Sequence, residues 1–190
     1  MADCEDAPLA STLLGLLAQG RPVTTAAFAD APARAPEDVA RRLSGWPNIE
    51  RDADDAVIGF SGLTLRPTAH SFYIEGQRLH TWCAWDTLFL PALLGATARV
   101  RSTCPVTGAR VELVVAPDAI QQAQPQDLYV SFPSAATTDT ADLAGSFAAT
   151  SIFWRAPRRP AAGRTPTPKA RSWTWPPPSL AAVARSRRER

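Results

Sequence analysis

Between His70 and Ala116 the chain keeps time with a period of two. "HSFYIEGQRLHTWC" alternates apolar and polar residues on either side of a Glu75-Gly76 turn. "TARVRST" and "ARVELVVA" alternate again and are joined by Cys104-Pro-Val-Thr-Gly108. Side chains on a strand point to opposite faces in turn, so this pattern describes strands with one buried face and one wet face. "QDLYVSFP" and "SFAATSIFW" read as two more strands. The centre of the chain is therefore strand-rich, and any helices must lie elsewhere.

They lie before it. Residues 9–19 set Leu13, Leu14, Leu16 and Leu17 on one helical stripe, closed by Gly20 and Arg21-Pro22. Thr24 or Thr25 is placed to cap a short second helix reaching Phe28. A third opens with Pro36, Glu37 and Asp38, where proline and acids suit a first turn, and runs to Leu43 before Gly45 and Pro47. "NIERDADDAVIGFSGLTLR" then reads as two strands around an Asp-rich turn at Asp52 to Asp55. Three helices and a hairpin predict a winged-helix-like module over residues 1–66, followed by a strand-rich body over 67–154. The expected class is α+β.

After Trp154 the character changes. Residues 155–190 hold seven prolines and ten basic residues against the single acid Glu189, a balance of +9. With a net charge of +2 for the whole chain, the first 154 residues carry −7. Such a composition predicts a disordered basic tail. No apolar run reaches the roughly 18–20 residues that span a bilayer, and the acidic "MADCEDAPLA" is unlike a secretory leader. Three cysteines, Cys4, Cys83 and Cys104, form no disulfide framework. The expected compartment is a reducing cytoplasm.

The chemistry concentrates in "LHTWCAWDTLFLPALLG", residues 79–95, where Cys83 stands three residues before Asp86 between two tryptophans. Thiolate suits soft metals and carboxylate hard ones, so the pair is a poor chelate for one metal ion. It makes more sense if sulfur holds a soft centre while the carboxyl moves a proton. Plainer readings stand beside this one. A cysteine in an aromatic-rich segment is commonly an inert buried thiol, and Asp86 could cap a short helix opening at Thr87. His80, Cys83 and Cys104 could contribute to a zinc site, although His80-x-x-Cys83 lacks a second paired knuckle. His70 reads as a surface or strand residue.

"TLRPTAHSFYIEGQRLHTWCAWDTLFLPALLGATARV" followed by "CPVTGARVELVVAPDAIQ" resembles the organomercurial (alkylmercury) lyases, which cleave carbon–mercury bonds. The resemblance implies that Cys83 is a catalytic cysteine and ligand of the substrate's mercury, and Asp86 the catalytic aspartate. It implies protonolysis of an organomercurial to hydrocarbon and Hg(II), in the service of mercury detoxification, without an organic cofactor. The Hg(II) product would pass to thiols or a mercuric reductase. Trp82, Trp85, Leu88 and Phe89 would face the organic group. Neither a membrane nor a nucleic acid is an expected partner.

One departure accompanies the resemblance. The family's second catalytic cysteine lies in a Cys-Cys-His-Val-His-aromatic strand directly after Ser-Phe. Here Ser146-Phe147 is followed by Ala148-Ala149-Thr150-Ser151-Ile152-Phe153-Trp154, which has no thiol. Those seven residues can be written GCT GCC ACG TCC ATT TTC TGG. Preceded by T and read one base earlier, the same bases spell Cys-Cys-His-Val-His-Phe-Leu. A shift of reading frame near Phe147 would explain both the missing thiol and the Arg/Pro-rich tail. A second class of function, a winged-helix DNA-binding or mercury-sensing regulator with a degenerate lyase core, would use Arg41 and Arg42 as phosphate contacts. The acidic body argues against it.

Overall fold

A computed structural model describes residues 7–30, 35–131 and 151–155. Helix α1 (Ala7–Leu17) buries Leu9, Leu13, Leu14 and Leu17, the stripe that the leucine spacing predicts. Helix α2 (Thr25–Asp30) is capped by Thr24, whose Oγ1 accepts the Ala27 N–H at 3.2 Å. Helix α3 (Pro36–Ser44) carries Glu37 and Asp38 in its first turn and Arg41 and Arg42 in its last, an order that complements the helix dipole. Gly45 closes it by donating its N–H to the Arg42 carbonyl at 3.1 Å, and the Trp46 N–H donates to the Leu43 carbonyl at 3.2 Å. The Asp-rich turn follows: Asp52 Oδ1 accepts the N–H groups of Asp54 and Ala56, bending β1 (Ile49–Arg51) into β2 (Val57–Phe60).

Here the structure adds an element. The segment predicted as two strands contains three, because Ser61 and Gly62 form a second tight turn from β2 into β3 (Leu63–Thr64). Both turn residues have positive φ, 51° and 92°, the backbone that matches the twist of a hairpin. Strands β4 (His70–Ile74), β5 (Gln77–Thr81), β6 (Ala98–Thr103) and β7 (Arg110–Val115) fall where the alternation predicts them. Strand β8 (Ile120–Gln124), almost wholly polar, carried no periodic signal. All eight join one antiparallel sheet in the order β1-β2-β3-β5-β4-β6-β7-β8. Since β3 pairs with β5, the hairpin of the helical module is the edge of the central sheet, and helices and sheet share one hydrophobic core.

The sheet is two-faced. Phe72, Ile74, Leu79, Val100, Val111, Leu113 and Val115 point into the core, whereas Arg78, Arg99, Arg101 and Glu112 point out to solvent. Against the core face pack α1 and α4 (Asp86–Leu94). A two-stranded ribbon, β9 (Leu128–Val130) with β10 (Phe153–Arg155), brings the chain back to the core, where Phe153 is buried. His70 is a core strand residue, 5% exposed, so its surface alternative does not hold. The expected catalytic strand positions 148–150, the tail from 156 and Cys4 lie outside the described residues. Among those described, no helix is long and apolar enough to cross a membrane.

Candidate active site

Strand β5 ends at Thr81, and the chain turns through Trp82 to Trp85 before α4 begins at Asp86. Three hydrogen bonds set this turn. Thr81 Oγ1 donates to the Cys83 carbonyl at 2.9 Å, Thr87 Oγ1 donates to the Ala84 carbonyl at 2.7 Å, and the Trp82 N–H donates to the Gly62 carbonyl at 2.9 Å. Asp86 is the first residue of the helix rather than its cap. Its Oδ2 reaches back to accept the Cys83 N–H at 2.8 Å. The spacing of three thus places carboxyl and thiol on one turn of backbone, with the Cys83 residue fully buried and Asp86 only 7% exposed.

Burial governs the acidity of both groups. It pushes the Cys83 thiol up to about 12, and the negative charge of Asp86 adds to the effect. Burial likewise pushes the Asp86 carboxyl up to about 6, offset by the hydrogen bonds it receives from Cys83. At neutral pH the pair therefore holds one proton, on sulfur, beside an ionised carboxylate. Trp85 and Phe89, both half-buried, lie with ring centroids 6.2 Å apart, and Leu88 is buried.

The ribbon supplies a group that sequence reasoning missed. Ser151 is fully buried, its carbonyl accepts the Ala84 N–H at 3.1 Å, and its Oγ accepts the Trp85 N–H at 3.3 Å. Its hydroxyl also hydrogen-bonds Cys83 and favours the thiolate. No local signal announces Ser151, because its partners lie more than sixty residues away along the chain. Gly62 was missed as well: it sits directly against the Asp86 side chain. The zinc alternative finds no support, since no three His, Cys, Asp or Glu side chains gather around a common point among the described residues. His80 Nδ1 is engaged by the Thr68 N–H, and Cys104 is buried at the mouth of the β6–β7 turn.

The fold is thus a three-helix module that shares one core with an antiparallel sheet, and a buried thiol and carboxyl sit together on the turn between β5 and α4. The chain belongs to the alkylmercury lyase family: residues 63–172 match the family itself and residues 2–61 match the helix-turn-helix domain of alkylmercury lyase. Relatives include alkylmercury lyases of Streptomyces lividans, 48% identical over 119 residues, and Pseudomonas putida, 47% identical over 127. These alignments cover 63% and 67% of this chain but 55% and 59% of the relatives, so the chain spans rather more than half of their length. A crystal structure of the mercury-bound form of MerB2 shares the fold at 24% identity, with a TM-score of 0.66 over 80% of this chain and 74% of that one.

Proposed function

We propose that the Cys83–Asp86 couple cleaves carbon–mercury bonds by protonolysis. The observation that carries this reading is a buried thiol and a buried carboxyl held on one turn of chain, the carboxyl accepting the Cys83 backbone N–H at 2.8 Å. Mercury bound to sulfur displaces the thiol proton outright, as soft cations do. Asp86 takes that proton as the sulfur–mercury bond forms. It then returns it to the carbon atom as the carbon–mercury bond breaks, and the bonding electron pair stays with carbon to give the hydrocarbon. Mercury(II) remains on Cys83 with a vacant valence that a second thiolate fills. Trp85, Leu88 and Phe89 suit the organic group, and the low-dielectric wrapping strengthens the proton's attraction to the carbanion-like carbon. The substrate is an organomercurial, and the product Hg(II) passes to cellular thiols or a mercuric reductase in the cytoplasm.

In the chain as written the second ligand must come from free thiol, because Cys83 is the only cysteine at the site among the described residues. A frame shift near Phe147 supplies a reason for that lack. With the codons written above, the neighbouring frame also reads phenylalanine at position 153, whose ring is buried in this chain. The native chain is expected to release little hydrocarbon from phenylmercury, and the chain re-read one base earlier after Phe147 much more. Cys83→Ser in the re-read chain should abolish release. Equal turnover with and without the Cys83 sulfur overturns the proposal, and gene sequence incompatible with Cys-Cys-His-Val-His in the neighbouring frame removes the frame shift. The regulator alternative gains nothing from α3, where Arg41 is tied to Asp38 at 2.6 Å.

A further inference from the structure

The sheet contains two hairpins with the same backbone and different surroundings. The β2–β3 turn is Ser61-Gly62, with φ of 51° and 92°; the β4–β5 turn is Glu75-Gly76, with φ of 47° and 81°. Each closes a two-residue connection, Phe60 opposite Leu63 and Ile74 opposite Gln77. Positive φ at both central positions is what such a turn needs, and glycine adopts it without cost at the second. On backbone grounds the two glycines are interchangeable.

Their neighbours are not. A Cβ added to Gly76 would meet nothing within 4 Å. A Cβ added to Gly62 would lie 2.5 Å from Asp86 Cγ, 2.6 Å from Oδ1 and 2.9 Å from Cβ. The Asp86 carboxyl is therefore packed onto the bare Cα of Gly62, in the space a side chain would fill. The other carboxyl oxygen, Oδ2, is fixed by the Cys83 N–H. The Gly62 carbonyl accepts the Trp82 N–H, one residue before the thiol. One turn thus holds both ends of the couple: by its carbonyl it ties down the segment bearing Cys83, and by its missing side chain it seats the carboxyl of Asp86.

We propose that Gly62 is a positioning residue of the site, the clearance that lets the Asp86 carboxyl lie against the β2–β3 turn and face the Cys83 thiol. An alanine there must push the carboxyl off the turn and away from sulfur, because the collision is with Cγ and not with the far end of a flexible chain. For the reaction this rests on Asp86 being the proton carrier, but the placement itself can be tested without any mercurial.

The test uses the full chain and four variants: Gly62→Ala, Gly76→Ala, Asp86→Ala and the double Gly62→Ala/Asp86→Ala. Iodoacetamide labelling of Cys83, followed by mass spectrometry of its peptide across pH, reads the couple, and urea unfolding reads the fold. Gly76→Ala reports the backbone cost of alanine at positive φ and should leave the labelling profile unchanged. Gly62→Ala should move the profile toward that of Asp86→Ala, with the rise in rate shifted to lower pH and labelling at pH 8 faster by roughly three- to tenfold, half a unit to one unit of thiol acidity. In the Asp86→Ala background the same glycine change should lower the urea midpoint less than it does in the native chain, since Cγ and Oδ1 are gone and only the 2.9 Å approach to Cβ remains. Should Gly62→Ala fail to fold, recovery of folding in the double variant supports the proposal and its failure overturns it. A Gly62→Ala profile that superimposes on the native one, or an equal loss of stability in both backgrounds, also overturns it. Retained cleavage by a Cys83→Ser chain would instead sink the lyase reading and leave the role of Gly62 standing.

Discussion

Two of the buried polar pairs among the described residues behave as opposites. His70 on β4 and Ser102 on β6 meet across the sheet, Nδ1 to Oγ at 2.8 Å, with the Phe153 ring edge-on to the imidazole at a centroid distance of 5.9 Å. Burial pushes the His70 imidazole down to about 4, so at neutral pH the ring is uncharged and its partner, a hydroxyl, has no charge to trade. Cys83 and Asp86 meet within one turn of chain, and burial pushes both of them up. A base buried against a hydroxyl keeps one protonation state and serves as a strut. A thiol buried against a carboxylate shares one proton that can change owner when something binds the sulfur. Burial is common to both; the ability to hand over a proton comes from pairing two acids.

The largest effect expected from breaking this contrast is at Asp86. Asp86→Asn in the re-read chain keeps an oxygen for the Cys83 N–H but removes the proton carrier, and hydrocarbon release should fall by roughly a hundredfold or more. The same change should stabilise the fold at pH 8. The carboxyl titrates at about 6 in the folded chain against an ordinary value of 3.8, so its contribution is fully present below the ordinary value and lost as pH rises through 6. By pH 8 the native chain carries a penalty of about 3 kcal/mol that the asparagine variant escapes. Urea midpoints that coincide at pH 3.5 and separate by pH 8 meet the expectation, and a gap independent of pH defeats it.

His70 gives the mirror image. Its folded value of about 4 lies below the ordinary 6.5, so its contribution is present above 6.5 and lost as pH falls through 4, again by about 3 kcal/mol. Between pH 6 and 4 the two slopes oppose one another and the native chain should look nearly flat. His70→Gln should unmask the Asp86 slope, with stability rising as pH falls. Asp86→Asn should unmask the His70 slope, with stability falling. Finding both variants as flat as the native chain would show that these pairs do not govern the acid side of the stability profile.

Much of this architecture is legible in the sequence, for a physical reason. A period of two over β4 to β7 and a leucine stripe over α1 are consequences of one-sided burial, and one-sided burial leaves its mark residue by residue. The Cys83–Asp86 pair is legible because both groups sit on one turn. What stays hidden depends on contacts between distant segments. Strand β8 is mostly exposed at the edge of the sheet and needs no apolar face, so "IQQAQ" shows no alternation. The Ser61-Gly62 turn has hairpin chemistry but is followed by a strand of only two residues, too short to read. His70 looks like any polar strand residue until Ser102 from two strands later in the chain closes on it.

Ser151 is the hardest case, and it gives the smallest effect. It enters the site from the chain's far end and holds the turn in two ways: its Oγ accepts the Trp85 N–H, and its hydroxyl donates toward the Cys83 sulfur. A hydrogen bond to the charged form lowers a thiol's pKa, here against the much larger effect of burial. Ser151→Ala removes that donor and leaves the Trp85 N–H without its acceptor, a loss of about 1 kcal/mol in stability by the usual worth of such a bond. Labelling of Cys83 at pH 8 should slow by roughly two- to threefold, the opposite direction from Gly62→Ala, because one change withdraws support from the thiolate and the other withdraws a neighbouring negative charge. If Ser151→Ala instead labels faster, the hydroxyl acts mainly as a plug over the sulfur, and its place is with the His70 strut rather than with the proton-sharing couple.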